Sequence, residues 1–370
     1  MSTVVNAAAS LSLALPKAST IFSMIQPTGV FHLGNYLGAV RGWADVAKAN
    51  PDPTTEIFFG AADLHAITMP KDPKQLQEWR HDALASILAA GIDPDRCSVF
   101  FQSAIPEHTQ LYWVLSNSIG MGYLNRMVQW KSKAGVAESA SFFEDSELLS
   151  QLKHGLFSYP ALQAADILMY KSTHVPVGED QSQHLELTRA AAQSFNAQYA
   201  SKKKPFFPIP TTLFAPTKKI ASLRDPSKKM SKSDPNKMAS IFITESPEQI
   251  YKKFKSAVSD SDPAPFLYDP ENRPGLSNLM TIMAGVQRVS IEDVEKNIAD
   301  IKTFGELKKT VSDIVVEDLA PVRSEFDRLK NDRAYLESIV NKGNLKAREK
   351  ASKTLKEVYD LIGFGNVPTK

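Results

Sequence analysis

Three short apolar runs, each followed by a turn and a helical pattern, dominate the first third of the chain. They have the length and the aromatic or β-branched content of buried strands, and they lie at Thr20–Ile25, Glu56–Ala61 and 98–102. Helical spacing occupies the segments after them, at 34–49, 73–90 and from about residue 107. Strands that alternate with helices form parallel sheets covered on both faces. The pattern therefore predicts an α/β fold.

The composition is that of an ordinary folded protein. The 370 residues carry 43 Lys and Arg against 41 Asp and Glu, with 43% hydrophobic residues and a mean hydropathy of −0.23. Disorder needs few apolar residues, a disulfide scaffold needs many cysteines rather than the single Cys97, and a membrane span needs about 18 consecutive apolar residues. These classes are excluded, and we expect no membrane association. At roughly 150 residues per domain, the length suggests two domains.

The N-terminus differs from the rest of the chain. Residues 1–18 are rich in Ala, Ser and Leu, and the first acidic residue is Asp45. A Ser-rich, acid-poor start is typical of an organelle transit peptide, although such peptides usually carry several arginines and this one has only Lys17. We interpret residues 1–18 as a leader or transit-like segment. A frayed terminal tail is the alternative.

Positive charge is concentrated in one part of the chain. Residues 201–255 carry 13 basic and 4 acidic side chains. Such an excess indicates either a solvated loop region or a surface for a polyanion. From Pro247 onward the sequence shows helical spacing and little strand character. It therefore predicts a mainly helical C-terminal domain after the α/β domain.

His32 and Gly34 lie at the first strand-to-helix junction, in the run PTGVFHLGNY at 27–36. A helix N-terminus offers unpaired N–H groups and a partial positive charge, and Gly34 allows a phosphate or adenine to approach the backbone. His32 would donate a hydrogen bond beside that anion. Because the motif is short, a glycine turn with a capping histidine is the alternative.

A second motif, KKMSKSDPN at 228–236, lies in the basic segment. Lys229 and Lys232 are flanked there by small hydroxyl residues and turn formers, which makes a flexible loop that can place ammonium groups on a polyphosphate. A solvated basic turn is the alternative. The presence of an anion-binding turn near the N-terminus favours the phosphate-binding interpretation.

Together the two motifs resemble the signature sequences of the class I aminoacyl-tRNA synthetases. Asn35 stands where many members have a second histidine, as is common in the tyrosine and tryptophan subgroup. The resemblance runs from about residue 20 to about residue 363. It implies a homodimer that binds tRNA and uses ATP with Mg²⁺, without a metal site made of protein ligands alone. It also implies a Rossmann-like catalytic domain at 19–223 with a dimerisation insertion around 104–155, a KMSKS loop at 224–237 and an anticodon-binding domain at 238–370.

Four polar side chains share one face of a helix near residue 158. The spacing between Tyr159, Gln163, Asp166 and Tyr170 is four, three and four residues. Burying a carboxylate among apolar residues is costly unless it has a partner, so the pattern favours the lining of a ligand pocket. A partly exposed amphipathic helix is the alternative.

Three further stretches resemble the tryptophanyl-tRNA synthetases, and FSMIQP at 22–27 is most like their fungal mitochondrial form; the others are DLHAIT at 63–68 and VPVGEDQSQH at 175–184. The resemblance implies a mitochondrial matrix enzyme that activates tryptophan with ATP and transfers it to tRNA(Trp). Asp166 would accept the indole N–H. The implied tryptophan-binding residues are Phe22, Met24, Gln26, His65, Tyr159, Gln163, Asp166, Val177 and Gln181.

The resemblance also implies the residues that act on ATP. His32 and the helix N-terminus would contact the α-phosphate, while Lys229 and Lys232 would stabilise the departing pyrophosphate, so that catalysis consists of positioning and charge stabilisation. Asn35 completes the catalytic set. The implied ATP-binding residues are Gln26, Gly34, Asn35, Gly178, Asp180, Lys229, Met230, Ser231 and Lys232.

Three other functions stay open at this point. Gln163 stands where bacterial members have methionine, as Met24 stands where they have glycine, and tyrosyl enzymes also carry a glutamine near Gln163, which keeps a tyrosine–tRNA ligase possible. A synthetase-like RNA-binding protein without catalysis need not retain both lysines, His32 and Asp166. An adenylyltransferase that does not use RNA would lack the long helical C-terminal domain.

Overall fold

The computed structural model describes residues 13–141, 146–201, 203–214, 219–262 and 264–365, with residues 146 and 149 described by their backbone alone. Most of the leader predicted over residues 1–18 lies outside the described residues. The part of it that is described is held by Asn50, which bonds to the Leu15 N–H at 2.7 Å and to the Leu13 carbonyl at 2.8 Å. No helix within the described ranges has the length and apolar character needed to cross a membrane.

Five parallel strands form one sheet in the described part of the chain, in the spatial order β3-β2-β1-β4-β5. The first strand in the sequence, β1, lies in the middle of the sheet, as in doubly wound folds. The prediction of a Rossmann-like parallel sheet is confirmed. The strands are β1 (Thr20–Ile25), β2 (Glu56–Ala61), β3 (Ser98–Phe101), β4 (His174–Val177) and β5 (Thr211–Phe214).

Helices cover both faces of the sheet and make up most of the chain after residue 247. A π-helical turn at Tyr36–Val40 joins the first two. The described helices are α1 (Leu33–Asn35), α2 (Arg41–Ala49), α3 (Asp63–Ala66), α4 (Pro73–Ala89), α5 (Glu107–Ser116), α6 (Met121–Asn125), α7 (Val128–Ala134), α8 (Ser146–Gln151), α9 (His154–Met169), α10 (Ser182–Tyr199), α11 (Pro247–Lys255), α12 (Pro274–Gln287), α13 (Ile291–Asn297), α14 (Phe304–Asn331) and α15 (Arg333–Ile362).

The helical C-terminal part packs directly onto the sheet. Helix α14 lies along α4, and α15 crosses β3 and contacts α5 and α9. One buried apolar cluster includes Ile21 and Val99 of the sheet together with Leu319 and Val340 of the last two helices. The predicted helical C-terminal part is confirmed, and it shares a hydrophobic core with the α/β part.

Helix α15 closes the open edge of the sheet at β3. Asn344 accepts the Phe101 N–H at 3.0 Å, in the place where a neighbouring strand would bond. The helix approaches so closely because residue 343 is glycine, since a Cβ there would lie 1.9 Å from the Val99 carbonyl oxygen. Any larger residue at this position would push α15 away from β3.

We therefore expect Gly343→Ala to destabilise the protein by about 2 kcal/mol or more, because the added methyl overpacks against a backbone carbonyl that cannot rotate away. The measurement is the free energy of unfolding from a urea titration. Gly155→Ala is the matched control, because Gly155 is also helical and a Cβ there meets nothing within 4 Å. If both substitutions change the free energy equally, the close contact does not hold α15 in place.

Candidate active site

The sequence motifs converge on the carboxyl ends of β1 and β4, in the middle of the sheet. The strand order reverses here, and ligands of open α/β sheets bind at such a switch point. The two strands pair only at Ile21 and His174. Further along, the Pro176 carbonyl accepts Ser23 Oγ at 2.7 Å and Trp43 Nε1 at 3.2 Å instead of a backbone N–H. The backbone pairing between β1 and β4 therefore ends before the motif residues that follow these strands.

His32 caps the helical segment that starts with α1. Its Nδ1 accepts the Asn35 N–H at 3.2 Å, and the Asn35 side-chain oxygen accepts the His32 N–H at 3.4 Å. Burial, reinforced by Lys232 and Lys229, lowers the pKa of His32 to about 3, so the ring is neutral. Because Nδ1 accepts, the ring proton lies on Nε2. His32 can therefore cap the helix through Nδ1 and donate a hydrogen bond to a ligand through Nε2 at the same time.

Gly34 stands directly above the His32 ring. A Cβ on Gly34 would lie 3.0 Å from His32 Cε1, so a side chain would displace the ring. The backbone N–H groups on either side of Gly34 are already bonded: the Leu33 N–H donates to the Ile241 carbonyl at 2.7 Å, and the Asn35 N–H donates to His32 Nδ1. The Gly34 N–H and His32 Nε2 are thus the donors that this turn can direct at an anion.

Lys232 reaches the N-terminal motif across 203 residues of sequence. Its Nζ donates to the Gly29 carbonyl at 2.8 Å and lies 5.0 Å from the centre of the Phe31 ring. Burial lowers the pKa of Lys232 to about 7, against the opposing charge of Asp82. The two motifs, which the sequence alone could only associate, therefore lie in contact.

The rest of the loop is anchored by its backbone. Met230 is buried and its N–H donates to the Ile220 carbonyl at 3.0 Å, while the Ser231 carbonyl accepts Ser240 Oγ at 2.9 Å. Lys229 is half exposed, and its Nζ lies 3.8 Å from Asp180 Oδ2. The loop thus holds Met230 and Ser231 in place while it directs the lysines on either side toward the carboxyl ends of β1 and β4.

A third lysine, Lys133 of α7, faces the same region. Its Nζ lies 4.3 Å from the centre of the Tyr159 ring. Desolvation at this position lowers the pKa of Lys133, although Asp180 opposes the effect. Sequence reasoning missed Lys133, because nothing in the polar stretch around it distinguishes it from Lys131, which instead bonds to the Glu138 carbonyl.

Asp166 is fully buried, and both of its carboxylate oxygens are bonded. Gln102 Nε2 lies 2.8 Å from Oδ1 and 2.9 Å from Oδ2, His108 Nδ1 lies 2.6 Å from Oδ1, and His65 Nε2 lies 2.8 Å from Oδ2. Burial raises the pKa of Asp166, but His108 and His65 outweigh it and lower the pKa to about 2. The carboxylate is therefore ionised at neutral pH. The family resemblance implied both His65 and Asp166 as tryptophan-binding residues, whereas sequence reasoning missed Gln102 and His108.

Tyr159 is fixed by two partners. Its hydroxyl donates to Gln129 Oε1 at 3.1 Å and accepts from His184 Nε2 at 3.1 Å. Burial, with Lys133 and His65 nearby, lowers the pKa of His184 to about 3, so this histidine is neutral and donates through Nε2. His184 thus supports Tyr159, a candidate pocket residue.

A row of polar side chains joins α9 to the turn after β4. Gln163 Nε2 donates to Gln181 Oε1 at 3.2 Å, and Gln181 Nε2 donates to Asp180 Oδ2 at 3.1 Å. Gly178 precedes this row, and a Cβ there would lie 2.8 Å from Asp180 Oδ1. The backbone carbonyl of Asp180 also accepts a hydrogen bond from Gln129 Nε2 at 2.6 Å. It does not act as a side-chain cap of α10.

The three apolar candidates for the tryptophan pocket belong to one hydrophobic cluster. Phe22 is buried and stacks on Tyr170 with 5.1 Å between ring centroids, and Met24 and Val177 pack against the same cluster. Gln26 Nε2 donates to the His65 carbonyl at 3.3 Å, which ties the end of β1 to α3. Within the described ranges, no group of three or more His, Cys, Asp or Glu residues could hold a metal ion.

Comparison with known proteins agrees with this arrangement. The family model of class I tRNA synthetases for tryptophan and tyrosine matches residues 16–320. The mitochondrial tryptophan–tRNA ligase of Saccharomyces cerevisiae is 52% identical and covers 95% of this chain and 93% of its own length. The mitochondrial tryptophan–tRNA ligase of Schizosaccharomyces pombe is 40% identical and covers 94% of this chain and 96% of its own length.

A solved structure matches the fold as well. Tryptophanyl-tRNA synthetase from Campylobacter jejuni, in complex with ADP and tryptophan, superposes with a TM-score of 0.71 at 29% identity, over 93% of this chain and 99% of that one. The relationship therefore extends over nearly the whole length of the chain. The chain belongs to the tryptophanyl-tRNA synthetases of class I and is similar to their fungal mitochondrial members.

Proposed function

We propose that this chain is a mitochondrial tryptophan–tRNA ligase, which forms tryptophanyl-adenylate and pyrophosphate from tryptophan and ATP and then transfers tryptophan to the 3′ end of its tRNA. The fungal relatives that support this assignment are named mitochondrial tryptophan–tRNA ligases. The observation that carries it in this chain is the pairing of cationic and neutral donors around Gly34 with an enclosed carboxylate at Asp166. The donors around Gly34 suit phosphates, and the Asp166 carboxylate suits an N–H group.

The phosphate end would act through position and charge. His32 Nε2 and the Gly34 N–H would bond to the α-phosphate, while Lys229, Lys232 and Lys133 would meet the β- and γ-phosphates. Mg²⁺ bound to phosphate oxygens would neutralise part of the charge that develops there. The Lys232 ammonium has three donors, so it can bond a phosphate oxygen beside the Gly29 carbonyl, and the phosphate oxygen is the stronger acceptor of the two.

The amino-acid end would recognise tryptophan by shape and by its indole N–H. Phe22, Met24 and Val177 supply the apolar wall, and Tyr159 and Gln181 would hold the ammonium and carboxylate groups. Asp166 would accept the indole N–H. Because its oxygens already receive bonds from three side chains, the indole would share an oxygen with one of them or replace it.

The macromolecular partners are tRNA(Trp) and a second copy of the chain. For tRNA we propose the basic segment 201–255 together with the helical part at 238–370. In α15, Arg348 and Lys350 form ion pairs with Glu107 and Glu56, which tie the helix to α5 and β2. For the dimer we propose the insertion around 104–155, where Trp113 of α5 is 70% exposed and Met121 of α6 is 51% exposed. Trp and Met are among the residue types enriched in protein–protein interfaces.

The direct test of the activity is amino-acid-dependent exchange of labelled pyrophosphate into ATP, with tryptophan, tyrosine and no amino acid compared side by side. We expect exchange with tryptophan alone. A site that bonds a substrate N–H rejects analogues without it by on the order of 10⁴. Exchange with tyrosine would overturn the substrate, and no exchange with either would overturn the enzyme.

Lys232→Ala should lower the rate of adenylate formation by about 10² at pH 6, because a charge that stabilises the transition state is lost. In the wild type the second-order rate with ATP should fall as the pH rises above about 7, since Lys232 loses its proton there. Single-turnover rates between pH 6 and 9 measure both effects. Lys228→Ala is the control, because Lys228 is exposed and pairs with Asp225. A pH profile shared by the wild type and Lys232→Ala would contradict this role.

Asp166→Asn should raise the KM for tryptophan at least about tenfold and leave the KM for ATP nearly unchanged, because a neutral amide of the same shape is a weaker acceptor than the carboxylate. The measurement is the exchange rate as a function of each substrate in turn. Equal changes in both KM values would place Asp166 outside the amino-acid pocket.

A further inference from the structure

Gln102, at the end of β3, joins three elements through one amide group. Its Oε1 accepts the Leu64 N–H at 3.1 Å, and its Nε2 donates to both oxygens of Asp166. The side chain is fully buried. Because Leu64 can only donate and the carboxylate can only accept, the amide has a single satisfactory orientation. Gln102 therefore fixes the plane of the carboxylate relative to α3.

A second chain of contacts holds the same carboxylate from the opposite side. His108 Nδ1 donates to Asp166 Oδ1, and its Nε2 lies 2.9 Å from the hydroxyl oxygen of Tyr170. His108 and Tyr170 are both buried. Of the three side chains bonded to Asp166, Gln102 alone contacts both oxygens, so it restrains rotation of the carboxylate about its Cβ–Cγ bond in addition to the single bonds from His65 and His108.

We propose that Gln102 is a positioning residue for substrate selection, which holds the Asp166 carboxylate at the angle at which it accepts the indole N–H. This inference rests on the proposed role of Asp166. A hydrogen bond weakens steeply when its acceptor turns away from the donor. Loss of Gln102 should therefore impair tryptophan binding and leave ATP binding unaffected.

The first test is Gln102→Leu, with Gln110→Leu of the exposed face of α5 as the matched control. We expect the KM for tryptophan to rise about tenfold or more in the former alone, with the KM for ATP within twofold of the wild type. In the Asp166→Asn background Gln102→Leu should add little, because residues that act through one another are not additive. Full additivity would overturn the proposal.

The second test is Gln102→Glu, which does not depend on the stability of the leucine variant. A protonated glutamic acid copies the amide, since its O–H donates to Asp166 and its carbonyl accepts the Leu64 N–H. An ionised one places two carboxylates side by side, which is unfavourable. The KM for tryptophan should therefore be close to the wild-type value at low pH and should rise at least tenfold toward pH 8.

The wild type must be measured over the same pH range, because other ionisable groups surround the site; they are His65, His108, Tyr170, Asp63 and Glu107. Parallel pH profiles for the wild type and Gln102→Glu would overturn the proposal. A normal tryptophan KM in Asp166→Asn would overturn the proposed pocket as well. A raised KM in Asp166→Asn with a normal KM in Gln102→Leu would overturn this inference alone.

Discussion

The site depends on an ionised carboxylate kept away from water. Asp166 lies on α9, and the groups that make its burial tolerable come from α3, α5 and the end of β3. An unpaired charge in this position would cost several kcal/mol, so these elements can pack only where they complete its bonds. The relative placement of helix and sheet and the chemistry of the pocket thus follow from the same requirement.

The end of the site that is proposed to bind the nucleotide is organised differently from the Asp166 end. Burial lowers the pKa values of both His32 and Lys232, and for His32 the charges of Lys232 and Lys229 add to the effect. Each of the two side chains also has a hydrogen-bond partner within the protein. A neutral histidine and a lysine close to its titration point make a region that is less repulsive to fold than two fixed charges would be. Arrival of a polyphosphate would raise the pKa of Lys232 and restore its charge where it is needed.

The sequence predicted those features whose signal is local. β1, β2 and β3 are continuous apolar runs, and their ends agree with the structure to within one residue. β4 was missed because Pro176 lies inside it, and proline is normally absent from central strands. Asp166 was recognisable because helical spacing places it among apolar residues. Gln102 and His108 were not, because they meet Asp166 only across 64 and 58 residues of intervening chain.

The closure of the sheet by α15 has a consequence for biosynthesis. Phe101 and the Asn344 that covers it are 243 residues apart. At roughly 5 to 20 residues per second, a ribosome needs on the order of ten seconds to a minute to cover that distance. During this interval β3 can pair with the backbone of another chain. A chaperone that covers β3 during synthesis would therefore protect an edge that the chain itself closes only late.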